Sequence, residues 1–311
     1  MSTPPLSVNN VFQGYSPPGG VYDEFLTDTQ QSRPHLKLFL DAIAQIGRSE
    51  FEHRWQQAQR TVQANDFAYS GYAAPDDKAR PWELDAIPFL ISAAEWDSVS
   101  TALNQRAHLL NMVLKDLYGE QSLLKQGILP PELVFSHPGF LRAYHGQQLQ
   151  NDCFLHFYAA DLARSPNGEW WVLADRTEAP SGIGFALENR ILISRMFPEL
   201  FHQCHVERLA PFFIAAQETL RSIAPHGSEN PRVVLLSQGP NSQNYFEDAY
   251  LSRYLGYTLV EGGDLAVRKN QVMLKTLGGL IPVDVILRRQ NSNDCDPLEL
   301  DSTSRKGAAG L

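Results

Sequence analysis

Residues 154–190 read FLHFYAADLARSPNGEWWVLADRTEAPSGIGFALENR, and the fold turns on how this stretch is read. Two short apolar runs rich in aromatic residues, Phe154 to Leu162 and Glu169 to Arg176, flank Ser165-Pro166-Asn167-Gly168. That arrangement predicts a β-hairpin, with Asn-Gly supplying the positive φ angles that tight connections require. Past Arg176 the pattern changes. Pro180-Ser181-Gly182 reads as a turn, and from Ile183 to Met196 the apolar residues return at helical spacing.

On the N-terminal side, residues 1–20 are rich in Pro, Gly, Ser and Asn and predict an extended arm. Residues 21–130 read as mainly helical. Leu36, Phe39, Leu40, Ile43 and Ile46 mark the first of two helices between Arg33 and Asn65. Ala79 to Glu95 carries prolines near its start and middle, so it enters as a turn and leaves as a helix. That helix continues from Trp96 to Tyr118, with Gly119 as its stop. After Pro130-Pro131, residues 131–225 hold the hairpin and two helices, Ile183 to Met196 and Pro211 to Ile223, before a loop from Pro225 to Asn230.

Residues 226–311 open a third pattern. Arg232 to Ser237 is a buried-strand run, Asn244 to Leu255 an amphipathic helix and Thr258 to Val260 a short strand, with further strands at Gln271 to Lys275 and Val283 to Arg288. A βαβ beginning of this kind predicts a parallel sheet. The last residues, DSTSRKGAAGL, read as the start of another loop and helix, so a truncated chain is expected. The fold class is α/β (α+β): a helical N-terminal region, an antiparallel hairpin region and a βαβ sheet.

Bulk properties narrow the function. The 311 residues are 43% hydrophobic and 20% charged, which is ordinary globular composition. Lys and Arg number 26 against 35 Asp and Glu, and the net charge of -9 disfavours nucleic acid or an anionic membrane as the main partner. Cys153, Cys204 and Cys295 form no CxxC pair and leave an odd count, so neither a disulfide framework nor a zinc site is expected. The first twenty residues lack the basic start and apolar core of a secretion signal, and no apolar run approaches the ~18 residues a membrane span needs. A reduced, cytoplasmic protein is the default.

Several blocks together resemble one known family. They include Tyr22-Asp23-Glu24-Phe25, Arg33-Pro34-His35, Glu95-Trp96, Asp116-Leu117-Tyr118-Gly119, Pro180-Ser181-Gly182, Leu187-Glu188-Asn189-Arg190, Tyr245-Phe246-Glu247, Val260-Glu261-Gly262-Gly263-Asp264-Leu265 and Val283-Asp284-Val285-Ile286-Leu287-Arg288-Arg289. In this order they resemble the circularly permuted ATP-grasp type 2 family, whose relatives include glutathionylspermidine synthase-like amide ligases. DRTEAPSGIGFALENR resembles the variant in which a helical domain follows. The resemblance implies an ATP-grasp-type hairpin, a pre-ATP-grasp-like sheet, and ATP with Mg²⁺ as cofactors. Its implied reaction activates a carboxylate as an acyl phosphate, which an amine then attacks to form an amide. The implied substrates are small-molecule or peptide carboxylates and amines. Much of the ATP pocket is expected beyond residue 311, so this chain alone is expected not to turn over.

The resemblance also implies site residues. Related ligases hold metal with an Asp on one strand and Glu-x-Asn on the next, and Asp161 fits the first position. Aligned on Pro-Ser-Gly, the other two fall on Ala174 and Arg176, so two oxygen ligands are missing. Asp175 is the remaining metal candidate, although strand alternation turns it away from the face of Ala174 and Arg176. Arg176 brings a fixed cation with five donors, suited to a phosphate or carboxylate. The plainer reading is that Asp161, Asp175 and Arg176 form cross-strand ion pairs. Ser181 and Gly182 offer a hydroxyl and backbone N–H groups to a phosphate at a helix start, or make an ordinary cap. Asn189 and Arg190 line the same cleft or lie on the surface. Asp264 follows a strand at a position where ligands bind, or caps a turn. Of Arg288 and Arg289, whose directions alternate, Arg289 is preferred for an anionic substrate. The competing function is a degenerate ATP-grasp module acting as a non-catalytic binding or scaffold partner.

Overall fold

The computed structural model of the protein describes residues 12, 14–64, 68–69, 80–147, 149, 152–225 and 229–311. The expected arm at residues 1–20 falls mostly outside the described residues, and the loop at 225–230 partly so. In chain order the elements are α1 (Lys37–Ile46), α2 (Arg48–Ala64), β1 (Ala68–Tyr69), β2 (Arg80–Pro81), α3 (Ala93–Tyr118), α4 (Ser122–Lys125), α5 (Pro131–Phe135), β3 (Ala159–Arg164) and β4 (Trp170–Arg176). There follow α6 (Ile183–Met196), α7 (Pro198–Gln203), α8 (Ala210–Ser222), β5 (Val233–Leu236), α9 (Tyr245–Leu255), β6 (Thr258–Val260), β7 (Leu265–Arg268), β8 (Gln271–Thr276), β9 (Gly279–Pro282) and β10 (Val285–Arg288). The fold is a mixture of helices, antiparallel ladders and one parallel sheet.

The chain divides into two compact units. The first comprises residues 1–100, 161–174 and 183–209. On α1 the apolar residues Phe39, Leu40, Ile43 and Ala44 are buried, and the first three join Ile193 and Met196 of α6 with Phe197 and Leu200 in a single core. Phe197 meets Phe39 edge-on at 5.7 Å, an aromatic arrangement favoured beyond its area burial. Each such side chain contributes about 1.5–3 kcal/mol on full burial, so this cluster holds the helices together.

The tip of the hairpin joining β3 and β4 belongs to the same unit, and Arg164 fixes it. Only 8% of its side chain is exposed. Its guanidinium bonds Glu24 and Glu95 at 2.5 Å each and the Gly168 carbonyl at 2.9 Å. The same cation lies between two rings, 4.5 Å from the centre of Tyr22 and 4.1 Å from that of Trp170. Tyr22 in turn carries Arg33 over its ring at 3.8 Å.

The turn differs from the expected one. Ser165 and Gly168 close a turn through Gly168 N–H to Ser165 O, and Ser165 N–H reaches Glu169 O. Gly168 alone has positive φ, at 89°, while Asn167 does not. Pro166 explains this: its fixed φ suits the first central position of a type I turn, which needs a left-handed residue only afterwards. Strand β3 also begins at Ala159 rather than Phe154. Phe154 and Leu155 donate their backbone N–H groups to Asn111 Oδ1, which removes them from any ladder.

The second unit comprises residues 101–160, 175–182 and 210–311. Its parallel sheet has the order β10-β5-β6, with Leu235 opposite both Leu287 and Leu259. Every residue of β5 is buried, as a central parallel strand demands. Val234, Leu236 and Val260 pack with Leu265, Leu274 and Val283 in one core, while Val233 and Val285 pack with Leu220 and Ala224 in another.

An antiparallel meander, β7-β8-β9, lies in the chain between β6 and β10, and two of its strands carry no strong sequence signal. Its first turn is Lys269-Asn270, both at positive φ, in place of the usual Gly-containing pair. Residues 301–311 form turns and not the expected helix. Ala308 is instead buried, its N–H bonded to Cys295 O, and the backbone at Gly307 passes so close to Gly262 that a β-carbon at 262 would collide with it.

Candidate functional site

The two crossovers of the parallel sheet run in opposite directions, from β5 to β6 and then from β6 back past β5 to β10. One runs through α9 to β6, and β10 lies on β5's other side. The carboxyl ends of β5 and β10 are therefore a topological switch point, where open α/β sheets bind ligands. Ser237 follows β5 and Arg289 follows β10. The Ser237 N–H bonds Val260 O and the Arg289 N–H bonds Leu236 O, so both backbones extend the ladder.

Helix α9 brings two carboxylates to this point, Glu247 at 1% and Asp248 at 0% exposure. Arg289, itself 5% exposed, donates Nε to Asp248 Oδ1 at 3.0 Å, Nη2 to Glu247 Oε2 at 2.8 Å and Nη1 to Pro180 O. Gly182 N–H donates to Glu247 Oε1 at 2.8 Å. Ser237 Oγ donates to Asp248 Oδ2 at 2.7 Å. One guanidinium thus holds both acids and pins the Pro180-Ser181-Gly182 loop at the sheet end. Buried charges persist only when paired and hydrogen-bonded in this way.

Burial pushes the Asp248 carboxyl up, further raised by the neighbouring Glu247, against the pull of Arg289 and the Ser237 hydrogen bond. A carboxyl held in this way retains a proton more readily than one in water.

The neighbouring Arg288 turns to the same loop by another route. Its Nη1 lies 3.5 Å from Glu178 Oε1 and 2.8 Å from Ser292 Oγ. Glu178 also accepts from Ser292 N–H at 2.5 Å. Burial would raise the Glu178 carboxyl, but the two Ser292 bonds and Arg288 hold it below the ordinary range.

Asp175 is engaged elsewhere in the second unit. Arg106 grips it with two parallel bonds, Nε to Oδ1 at 2.6 Å and Nη2 to Oδ2 at 2.7 Å, and Tyr158 OH donates to Oδ1 at 2.7 Å. The Arg106 bonds, then Tyr158, hold the Asp175 carboxyl below the usual carboxylate range. Burial and the Asp175 carboxylate push the Tyr158 hydroxyl up to about 12. Both oxygens of Asp175 are thus bonded to Arg106 of α3 and to Tyr158, partners other than the cross-strand Asp161 and Arg176 of the plainer reading.

The remaining sequence candidates are placed as follows. Arg289 and Gly182 come together at the switch point, with Ser181 on the loop between Pro180 and Gly182 and exposed. Arg176 ends β4 and is exposed. Asp161 lies on β3, and Asn189 and Arg190 lie on α6, in the first unit. Arg190 there donates to Glu207 O and covers the Phe201 ring at 5.6 Å. Asp264 closes a reciprocal cap on the short turn Gly262–Asp264, accepting from Glu261 N–H at 2.9 Å. Among the described residues no group of three or more His, Cys, Asp or Glu side chains is placed to hold a metal. With Asp175 taken up by Arg106 and Tyr158, the described oxygen donors do not fit a magnesium ion by themselves.

Asp248, Ser237 and Arg164 are the residues that sequence reading did not single out. Glu247 was visible as part of Tyr245-Phe246-Glu247, but nothing in spacing reveals that α9 points two adjacent acids into a buried site. No described helix is long and apolar enough to cross a membrane.

Comparison with known proteins adds a family. The sequence pattern of the family described as circularly permuted ATP-grasp type 2 matches residues 88–311. An uncharacterized protein of Mycobacterium tuberculosis is 38% identical over 302 residues, covering 94% of this chain and 34% of its own length. An uncharacterized Synechocystis protein is 34% identical over 299 residues, 96% of this chain and 62% of that one. An uncharacterized Mycobacterium leprae protein is 35% identical over 292 residues, 93% and 51% respectively. The chain therefore spans between about a third and three fifths of these relatives.

Proposed function

The chain belongs to the circularly permuted ATP-grasp type 2 family, within a superfamily of ATP-dependent ligases, and from that premise we propose that the whole protein joins a carboxylate to an amine at the cost of ATP. The supporting observation is the switch-point node, in which Arg289, Glu247 and Asp248 hold the Pro180-Ser181-Gly182 loop at the carboxyl ends of β5 and β10. In this reading Arg289 is a positioning residue, because its donors are spent on the two acids and the loop. Ser181 is the group that the loop presents. Asp161, Arg176, Asn189, Arg190 and Asp264 remain proposed contributors to nucleotide, metal and substrate binding.

The reaction balances in two steps. A carboxylate oxygen attacks the γ-phosphorus of ATP, forming an acyl phosphate and releasing ADP. The amine then attacks the acyl carbon, expelling inorganic phosphate and losing a proton as the amide forms. The substrates are a small-molecule or peptide carboxylate and an amine, with magnesium as the expected metal and the cytoplasm as the expected compartment. ATP and metal binding then draw on more residues than the donors described here, and a further helical domain is part of the proposal.

A second reading has its own support. Ala174 stands where an oxygen ligand is expected, and Asp175 is held by Arg106 and Tyr158, as a non-catalytic ATP-grasp-derived binding module would have it. Calorimetry on the whole protein with a non-hydrolysable ATP analogue, with and without Mg²⁺, separates the two. The ligase reading expects metal-dependent binding that is weakened by Asp161→Ala. Absence of nucleotide binding overturns it, and an Arg176→Asn variant that gains metal affinity supports the module reading.

A further inference from the structure

The residue before α4, the end of α5 and the segment after it line an open pocket of about 440 Å³ in the second unit, well apart in sequence from the switch-point residues. It is lined by Gln121, Phe135, Phe140, Arg142 and His145. That volume suits a small organic molecule. Phe140 is the centre of a ladder of rings. Phe135 meets it edge-on at 5.3 Å and Tyr118 stacks on it at 5.0 Å and 13°. Phe154 stacks behind Tyr118 at 5.9 Å and 6°.

The wall is held by its backbone. Leu141 N–H donates to Tyr118 OH at 3.2 Å, and Gly146 N–H donates to Tyr118 O at 2.7 Å, so the 141–146 segment is anchored at both ends to one residue. Gln121 sits in the left-handed region, at φ 58°, with its amide nitrogen bonded to Leu117 O. A pre-organised aromatic surface of this kind lowers the ordering cost of binding a flat ring.

Charge gives the pocket its selectivity. Arg142 is exposed, its guanidinium 5.9 Å from the centre of the Phe135 ring, and among the described residues it has no carboxylate partner. His145 stands one turn on, its N–H bonded to Arg142 O. None of the five lining side chains is acidic, in a protein of net charge -9. We propose that this pocket binds an aromatic carboxylate, with the ring against Phe135 and Phe140 and the carboxylate on the Arg142 guanidinium. The planar fork of arginine matches a carboxylate with two parallel bonds, and a cation already over an aromatic face favours a flat anionic ligand beside it. The proposal stands on this pocket alone and does not depend on the ligase reading.

The test is calorimetry of the full chain with 2-naphthoate, set beside its uncharged counterpart 2-naphthalenemethanol, the ring-saturated cyclohexanecarboxylate, and inorganic phosphate. Naphthoate is expected to bind, and to bind about tenfold more tightly than either the alcohol or cyclohexanecarboxylate. Arg142→Gln should weaken naphthoate about tenfold and leave the alcohol unchanged, while Phe135→Leu should weaken both. Far-UV circular dichroism checks that the two variants are folded. No binding of naphthoate, equal binding of naphthoate and the alcohol, or indifference to both substitutions overturns the proposal. Phosphate that displaces naphthoate and binds as tightly as it does overturns it in favour of a simple anion site.

Discussion

Arg164 shows how much one side chain settles here. It is nearly buried, paired with Glu24 and Glu95, and held between two aromatic faces. Burial alone would raise the Glu95 carboxyl, yet the bonds from Arg164 and Trp170 hold it below the ordinary range. Arg164→Ala leaves two carboxylates without their cation and removes the packing of the guanidinium between the rings. A loss of about 2–4 kcal/mol is expected, read as a lower urea midpoint with the slope unchanged. Arg289 makes a parallel case with higher stakes, because Glu247 and Asp248 are more deeply buried. Arg289→Met is expected to cost about 3–5 kcal/mol in the same experiment and to release the Pro180-Ser181-Gly182 loop, seen as faster hydrogen exchange at Gly182.

At the scale of elements, the hairpin rests on the geometry of its turn. Gly168 has φ 89°, and a β-carbon there would lie 2.5 Å from the Tyr22 ring. Gly168→Ala therefore strains the backbone and displaces a ring that Arg164 and Arg33 both cover. A stability loss of about 1–3 kcal/mol is expected by thermal unfolding, larger than a left-handed alanine costs by itself. Helices with long apolar stripes were legible. Lys37–Ile46, Ile183–Met196 and Tyr245–Leu255 fall where the spacing places them, because a 3.6-residue period is a local property. The βαβ order was legible for the same reason. Strands β7 and β9 were not, since Leu265–Arg268 and Gly279–Pro282 are short and lack strict alternation, and their pairing comes from neighbours in space.

Across the whole molecule, titration divides the acids into two groups. Asp23, Glu95, Asp116, Asp175 and Glu178 lie below their ordinary range in the folded protein. Their contribution to stability is complete above their unfolded values and is lost as pH falls through the folded ones. Asp248 runs the other way. Its raised folded value gives a contribution that is complete below the unfolded value and lost as pH rises through the folded one. The first group is larger, so the urea midpoint is expected to fall as pH drops below about 4.5, and Asp175→Asn should flatten that fall. A midpoint that rises on acidification through this range would show that buried acids such as Asp248 dominate.

The sequence by itself determined the family, the periodic helices, the hairpin and the parallel sheet, because each is written in local spacing or in the identity of single residues. Only the tertiary structure decided what those residues touch. It bonded Asp175 to Arg106 and Tyr158, Asp264 to the Glu261 N–H and Arg289 to two buried acids, and it gathered Tyr22, Glu24 and Glu95 around Arg164. The Arg164–Glu24 bond alone joins residues 140 positions apart. The energies of these contacts depend on burial and pairing, which long-range packing creates and local sequence does not encode.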